Sequence, residues 1–148
     1  MPDREPLHRA EIGELLVRYA RAVDDGDWDL LDTVFTEGAE LDLSAPGGPR
    51  GAREEVKAWL AETLPAWPGR QHLLGVPSIA FGPDEDDGLT ATARAPFSDT
   101  LSPSRDLVRA DAPGLIRGGG LYHHRLLLTP DGWRSRAMAI EQQWRTIG

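Results

Sequence analysis

Cysteine is absent from the 148 residues, which rules out disulfides, thiolate metal centres and a cysteine nucleophile. Lysine is nearly absent too: Lys57 is the one lysine among 16 basic side chains, and 24 acidic ones leave a formal net charge of -8. A charge of that sign opposes binding to nucleic acid or to anionic membranes, and no basic cluster interrupts it. Long apolar runs are lacking as well; none exceeds a few residues, far short of a membrane span. The opening MPDREPLHRAEIGELL has no apolar core of the secretory kind, which predicts a cytoplasmic protein. Phosphate-binding glycine loops, nucleophile elbows and zinc motifs are also missing.

What remains is an ordinary globular composition, with 40% hydrophobic and 27% charged residues. The length fits a single domain, residues 1–148, that buries roughly two-thirds of its unfolded surface. From Glu11 to Val23 the residues Ile12, Leu15, Leu16, Tyr19, Ala20 and Val23 recur at three- and four-residue steps, the pattern of one helix face. Gly26 is expected to end that helix in a left-handed cap, and Asp27 to cap a second short helix, Trp28 to Phe35. AELDLS, Ala39 to Ser44, alternates like a strand, and a third helix is expected from about Ala52 to Leu64, stopped by Pro65 and Pro68. Beyond it the period becomes strand-like, with strands at about 71–81, 89–101, 114–128 and 133–144. The segment Ser102 to Pro113 reads as a loop or lid. Three helices followed by four long antiparallel strands predict an α+β domain whose curved sheet wraps around the helices.

On a helical wheel of about 100° per residue with Ile12 at zero, Asp24 falls at about 120° and Asp25 at about 220°. Asp24 thus borders the buried face while Asp25 faces solvent. Tyr19, at about 340°, points inward. Asp24 stands either as a helix-ending carboxylate or as a working acid, and its place at the negative end of the helix dipole calls for compensation. Among the histidines, His8 is expected in solvent, His72 opens the first long strand, and His124 shares the more apolar face of GGGLYHHRLLLTP with Tyr122. The row Ala91, Ala93, Ala95, Phe97, Asp99 is mostly small, which predicts a cavity unless bulky neighbours fill it. The triplet at Gly118 to Gly120 reads as a bulge.

The segments YARAVDDGDWDLLDTVFTEGAELDL, QHLL and YHHRLLLTPDGWRSRAMAIEQQW, with this order of elements, resemble SnoaL-like domains of the nuclear transport factor 2-like superfamily. The resemblance covers about residues 11–144. It implies an α+β cone, a strongly curved sheet closed by N-terminal helices, in a homodimer or homotrimer. Members such as scytalone dehydratase, bile acid 7α-dehydratase and hexachlorocyclohexane dehydrochlorinase share an Asp at the end of the first helix and a His on the strand after the third; Asp24 and His72 match them. Tyr19 matches a tyrosine of the bile acid enzyme, and Asp99 falls near its second carboxylate. Val23 and Phe97 depart from scytalone dehydratase, which argues against a scytalone-type substrate.

On that basis Asp24, His72 and Tyr19 are the expected catalytic residues, and His124, Tyr122, Asp99, Phe97 and Trp28 the expected ligand contacts. The reaction implied is a dehydratase-like elimination from an apolar alicyclic or polyketide-like molecule, needing no metal and no organic cofactor. An isomerase or cyclase using the same base is the alternative, and a non-catalytic binding or oligomerisation module the third reading.

Overall fold

A computed structural model describes residues 2–84, 88–105 and 114–148. The first helix, α1 (Glu5–Asp25), begins well before the expected Glu11. Its apolar stripe explains the extension, because His8 lies one turn before Ile12 on the same face. His8 is therefore buried and not in solvent: the indole Nε1–H of Trp133 donates to its Nδ1 at 3.0 Å, and the two rings meet edge to face. Gly26 ends α1 at φ 68 as expected, and the Asp27 side chain accepts from the Leu30 N–H. The helix that Asp27 opens is a 3-10 helix, Trp28–Thr33, shorter than expected, since Phe35 already starts β1 (Phe35–Asp42).

After a short strand that the sequence pattern did not reveal, β2 (Arg50–Ala52), comes α2 (Arg53–Thr63). The expected strand at 71–81 is two strands, β3 (Gly69–Leu74) and β4 (Ser78–Phe81), both antiparallel to the same edge of β5 (Thr90–Ser102). Gly75 and Pro77 separate them. The Gly75 N–H makes the last bond of β3 to β5, onto the Pro96 carbonyl at 2.7 Å, and Pro77 has no N–H to continue the ladder. The long strands β6 (Ile116–Thr129) and β7 (Gly132–Ile147) complete the sheet.

The strand order is β2-β1-β7-β6-β5-β3, with β4 also on β5. Seven strands form a mixed sheet that is not closed, and with the helices it makes the α+β cone. The expectation of a wholly antiparallel sheet fails at one pairing, because β1 runs parallel to β7. Alternation in a sequence reports which residues face inward but not which strand lies alongside. Among the described residues no helix is long and apolar enough to cross a membrane.

The core gathers Ile12, Leu15, Leu16, Tyr19 and Val23 of α1 with Phe35, Val56, Leu60, Tyr122, Leu126, Trp133 and Met138. Ala91, Ala93 and Ala95 belong to this packed cluster. The alanine row therefore lies outside the wall of the cavity beside His72 described below, its small side chains buried in the core. His124 lies in the same core, 3% exposed, with its Nδ1 against Ser135 Oγ at 2.9 Å and its ring stacked on Phe35. Ser135 Oγ in turn donates to the Ala137 carbonyl at 3.0 Å, so Nδ1–H of His124 is the donor to the serine. Burial, with His123 adding to it, lowers the His124 pKa to about 3.

The glycine triplet marks an irregularity, as expected. Gly119 faces Trp144 whereas Gly120 faces Gln142, so Gln143 is an extra residue in β7. A Cβ on Gly120 would run into the Glu141 carbonyl, and one on Gly119 into the Trp144 indole. By contrast, a Cβ on Gly13 meets nothing within 4 Å.

Gly120→Ala should cost about 2 kcal/mol in urea denaturation, while Gly13→Ala in α1 should gain about 0.5–1 kcal/mol. For His124, the unfolded imidazole takes up a proton below about 6.5 and the folded one only near 3. The unfolded chain thus binds more protons across that window, and stability falls as pH drops through it. Urea titrations at a series of pH values should show a shallower fall for His124→Gln than for the parent chain.

Candidate active site

Helix α1 delivers Asp24 to the edge of the sheet, where β3 passes. Both oxygens of its carboxylate are taken by one residue: the His72 backbone N–H donates to Oδ2 at 2.9 Å, and His72 Nδ1 lies 2.6 Å from Oδ1. The two-point contact orients the imidazole and assigns the Nδ1 proton to the carboxylate, so Nε2 is the nitrogen left to exchange protons. That nitrogen does not face open space. Asp99 on β5, opposite His72 in the ladder, brings its Oδ2 to 3.6 Å. Burial raises the Asp99 carboxyl above the usual range, with His72 and Arg145 opposing the shift. The imidazole therefore stands between two carboxylates whose surroundings differ.

A feature missed in the sequence supports this pair. Arg70, two residues before His72 on β3, sends its Nε–H to the Val23 carbonyl at 3.0 Å and its Nη1 to the carbonyls of Leu64 at 2.8 Å and Trp67 at 3.1 Å. Its guanidinium also lies 5.9 Å from the Trp28 ring centre. Arg70 thus places a fixed positive charge at the negative end of α1 and ties the ends of both helices to β3. The signal available was its spacing: Arg70 and His72 share one side of a strand whose other neighbours are largely apolar.

Next to the pair opens a cavity of about 210 Å³. Tyr19, His72, Phe97, Asp99 and Tyr122 form one part of its wall. Trp59, Leu60, Leu64 and Trp67 supply apolar lining from the helical side, Ile116 and Ile140 from the sheet, and Gln142 and Arg145 a polar contribution. Tyr122 stacks on Phe97 with ring centres 4.2 Å apart, and Tyr19 meets Tyr122 edge to face at 5.3 Å. Both phenols are driven far above the ordinary tyrosine range by burial first; Asp99 and Asp24 add to the shift of Tyr19, and Tyr19 followed by the same carboxylates to that of Tyr122. Both phenols persist as O–H donors.

Of the residues singled out from sequence, Tyr19, His72, Asp99, Tyr122 and Phe97 line this cavity, and Asp24 stands directly behind His72. Two expected ligand contacts lie elsewhere. His124 is held in the core by Ser135 and Phe35, and Trp28 carries the Arg70 guanidinium outside the cavity wall. For His124 the reason is that an inward strand face in a sequence does not say which part of the interior it meets. The segment expected to cover the pocket, Ser102 to Pro113, lies outside the described residues from position 106 onward. Among the described residues no group of three or more His, Asp or Glu is arranged to hold a metal ion.

Comparison with known proteins matches this architecture. The chain is 35% identical over 126 residues to the uncharacterized protein Rv2910c of Mycobacterium tuberculosis, covering 85% of this chain and 79% of that one. The crystal structure of Kfla4162 from Kribbella flavida superposes with a TM-score of 0.77 at 26% identity, covering 95% of this chain and 94% of the other. Hexachlorocyclohexane dehydrochlorinase LinA-type3 from Novosphingobium barchaimii superposes with a TM-score of 0.74 at 15% identity, covering 100% and 94%; this likeness is one of fold. A family model described as SnoaL-like domain matches residues 4–139. With that match spanning most of the chain, the protein belongs to the SnoaL-like domain family, on the nuclear transport factor 2-like fold.

Proposed function

We propose that the protein is a cofactor-independent lyase of the dehydratase type, acting on an apolar alicyclic or polyketide-like molecule held in the cavity beside His72. The observation that carries this reading is the two-point grip of Asp24 on His72, 2.6 and 2.9 Å, at the wall of a largely apolar cavity. Such a grip orients one ring nitrogen as a base and supplies a counter-charge when that nitrogen takes a proton.

In the proposed reaction, His72 Nε2 removes a proton from a carbon next to an electron-withdrawing group. The electron pair becomes the new C=C bond and the C–O bond on the neighbouring carbon breaks. Asp99, whose burial favours the protonated form, gives its proton to the departing hydroxyl, which leaves as water. The O–H of Tyr19 stabilises the enolate oxygen on the way. Afterwards the proton on Nε2 returns to Asp99 Oδ2 across the 3.6 Å gap, and both groups are reset without bulk solvent. A substrate without a leaving group would follow the isomerase or cyclase course with the same base, its proton returned to another atom.

The test is turnover of a panel of β-hydroxy ketones on alicyclic and polyketide-like frames, read by product mass. Loss of one water supports elimination; an unchanged mass with a new retention time supports isomerisation or cyclisation; no turnover in any case leaves a binding module. His72→Gln and Asp24→Asn, each checked for native circular dichroism, should lower kcat by about 10²–10⁴-fold. Full activity in both folded variants contradicts the proposed base. The proton donor has its own signature: rising pH deprotonates Asp99, so the parent enzyme should lose kcat on the alkaline side, and Asp99→Asn should be slower yet lack that alkaline limb.

A further inference from the structure

Four residues stand in one row across four strands. His72 on β3 is opposite Asp99 on β5, Asp99 is opposite Gly118 on β6, and Gly118 is opposite Arg145 on β7. Residues directly opposite one another project to the same face of a sheet. The side chains of His72, Asp99 and Arg145 accordingly all line the same cavity. Adjacent strands lie about 4.8 Å apart, so three steps separate the His72 and Arg145 backbones by about 14 Å.

Gly118 keeps the row open in the middle. A Cβ there would approach Asp99 Oδ1 to 3.0 Å and the Gln142 amide nitrogen to 2.6 Å, so both polar groups reach over the glycine. At the end of the row the Arg145 Nη1 donates to the Pro46 carbonyl at 3.0 Å, in the loop between β1 and β2. Guanidinium carries five N–H donors, and this backbone carbonyl is its one hydrogen-bond partner among the described residues. No carboxylate of the described residues lies within ion-pair distance of it, although the field of Arg145 reaches Asp99. The other lining groups are unlike it. The histidine is matched with Asp24, the wall is mainly aromatic and aliphatic, and among the described residues Arg145 is the one arginine or lysine that lines the cavity.

We propose that Arg145 is the anchor for a carboxylate on the ligand, so that the cavity takes a ring acid. The apolar body lies between Trp59, Trp67, Ile116 and Ile140, the reacting carbon sits at His72, and the anionic group meets the guanidinium at the far end of the row. This deepens the elimination reading and rests on it for the reacting carbon alone; the anion preference itself needs no chemistry. A planar fork of donors with unspent N–H groups suits a bidentate carboxylate better than a neutral amide. At a site that is part solvent, the preference should amount to about fivefold to tenfold.

The experiment measures binding of 2-naphthoate and of 2-naphthamide by calorimetry, with indole N–H shifts of Trp59 and Trp67 locating each probe. The parent chain is expected to bind the naphthoate about five to ten times more tightly, and raising the salt should shrink that margin. In Arg145→Gln the margin should vanish with amide binding unchanged, while Arg145→Lys should retain part of it. His72→Gln should keep the full margin, which separates this proposal from the fate of the catalytic reading. Equal binding of the two probes by the parent chain, a margin that survives Arg145→Gln, or shifts that spare both tryptophans would overturn the assignment. Should Arg145→Gln fail to fold, the salt dependence of the parent chain and the Arg145→Lys margin decide.

Discussion

The site depends on a carboxylate held where a helix is least hospitable to one. Asp24 is in the last turn of α1, and a negative charge there opposes the helix dipole by about 0.3–1 kcal/mol at an exposed end. Three donors on β3 reverse that balance: the His72 N–H, the His72 ring, and Arg70 on the neighbouring Val23 carbonyl. The arrangement also answers a need of the sheet. Strand β3 is at the edge, where outward N–H groups lack a ladder partner, and Asp24 occupies one of them. Helix end and sheet edge thus satisfy each other through the residue that the proposed chemistry uses.

From that contact the rest of the site follows by sheet geometry. Once His72 is oriented, the ladder places Asp99 beside its free nitrogen, and the glycine at 118 leaves space over which Asp99 and Gln142 reach. The bulge beyond Gly119 adds a residue to β7, and both Gln142 and Arg145 line the cavity. The half of β5 with Ala91, Ala93 and Ala95 is buried in the core, whereas the half from Phe97 onward lines the hollow beside His72. One long strand therefore serves as core at one end and as cavity wall at the other.

Much of this was legible in the residues. The angle of Asp24 on the α1 wheel, the Gly26 cap, the Asp27 cap and the glycine-marked irregularity are all local matters, set within a few positions of chain. What was not legible depends on partners distant in sequence. The parallel pairing of β1 with β7, the pairing of both β3 and β4 with one edge of β5, and Trp133 as the partner that covers His8 have no local signature. The same holds for the site. Asp24 and His72 were singled out by helix phase and by family likeness, but Asp99 beside Nε2 and Arg70 behind Asp24 emerge only from strand register. His124 shows the converse limit, since an inward face in a sequence does not say whether it meets a ligand or a neighbouring side chain.

The central claim is that Asp24 holds the His72 proton on Nδ1 and leaves Nε2 as the exchanging nitrogen. The decisive measurement is heteronuclear NMR of the imidazole nitrogens with the ring neutral. The expected spectrum has a protonated Nδ1 with a strongly deshielded proton and an unprotonated Nε2, with that proton signal lost in Asp24→Ala. A His72 ring that carries its proton on Nε2, or one whose spectrum is indifferent to Asp24, would contradict it.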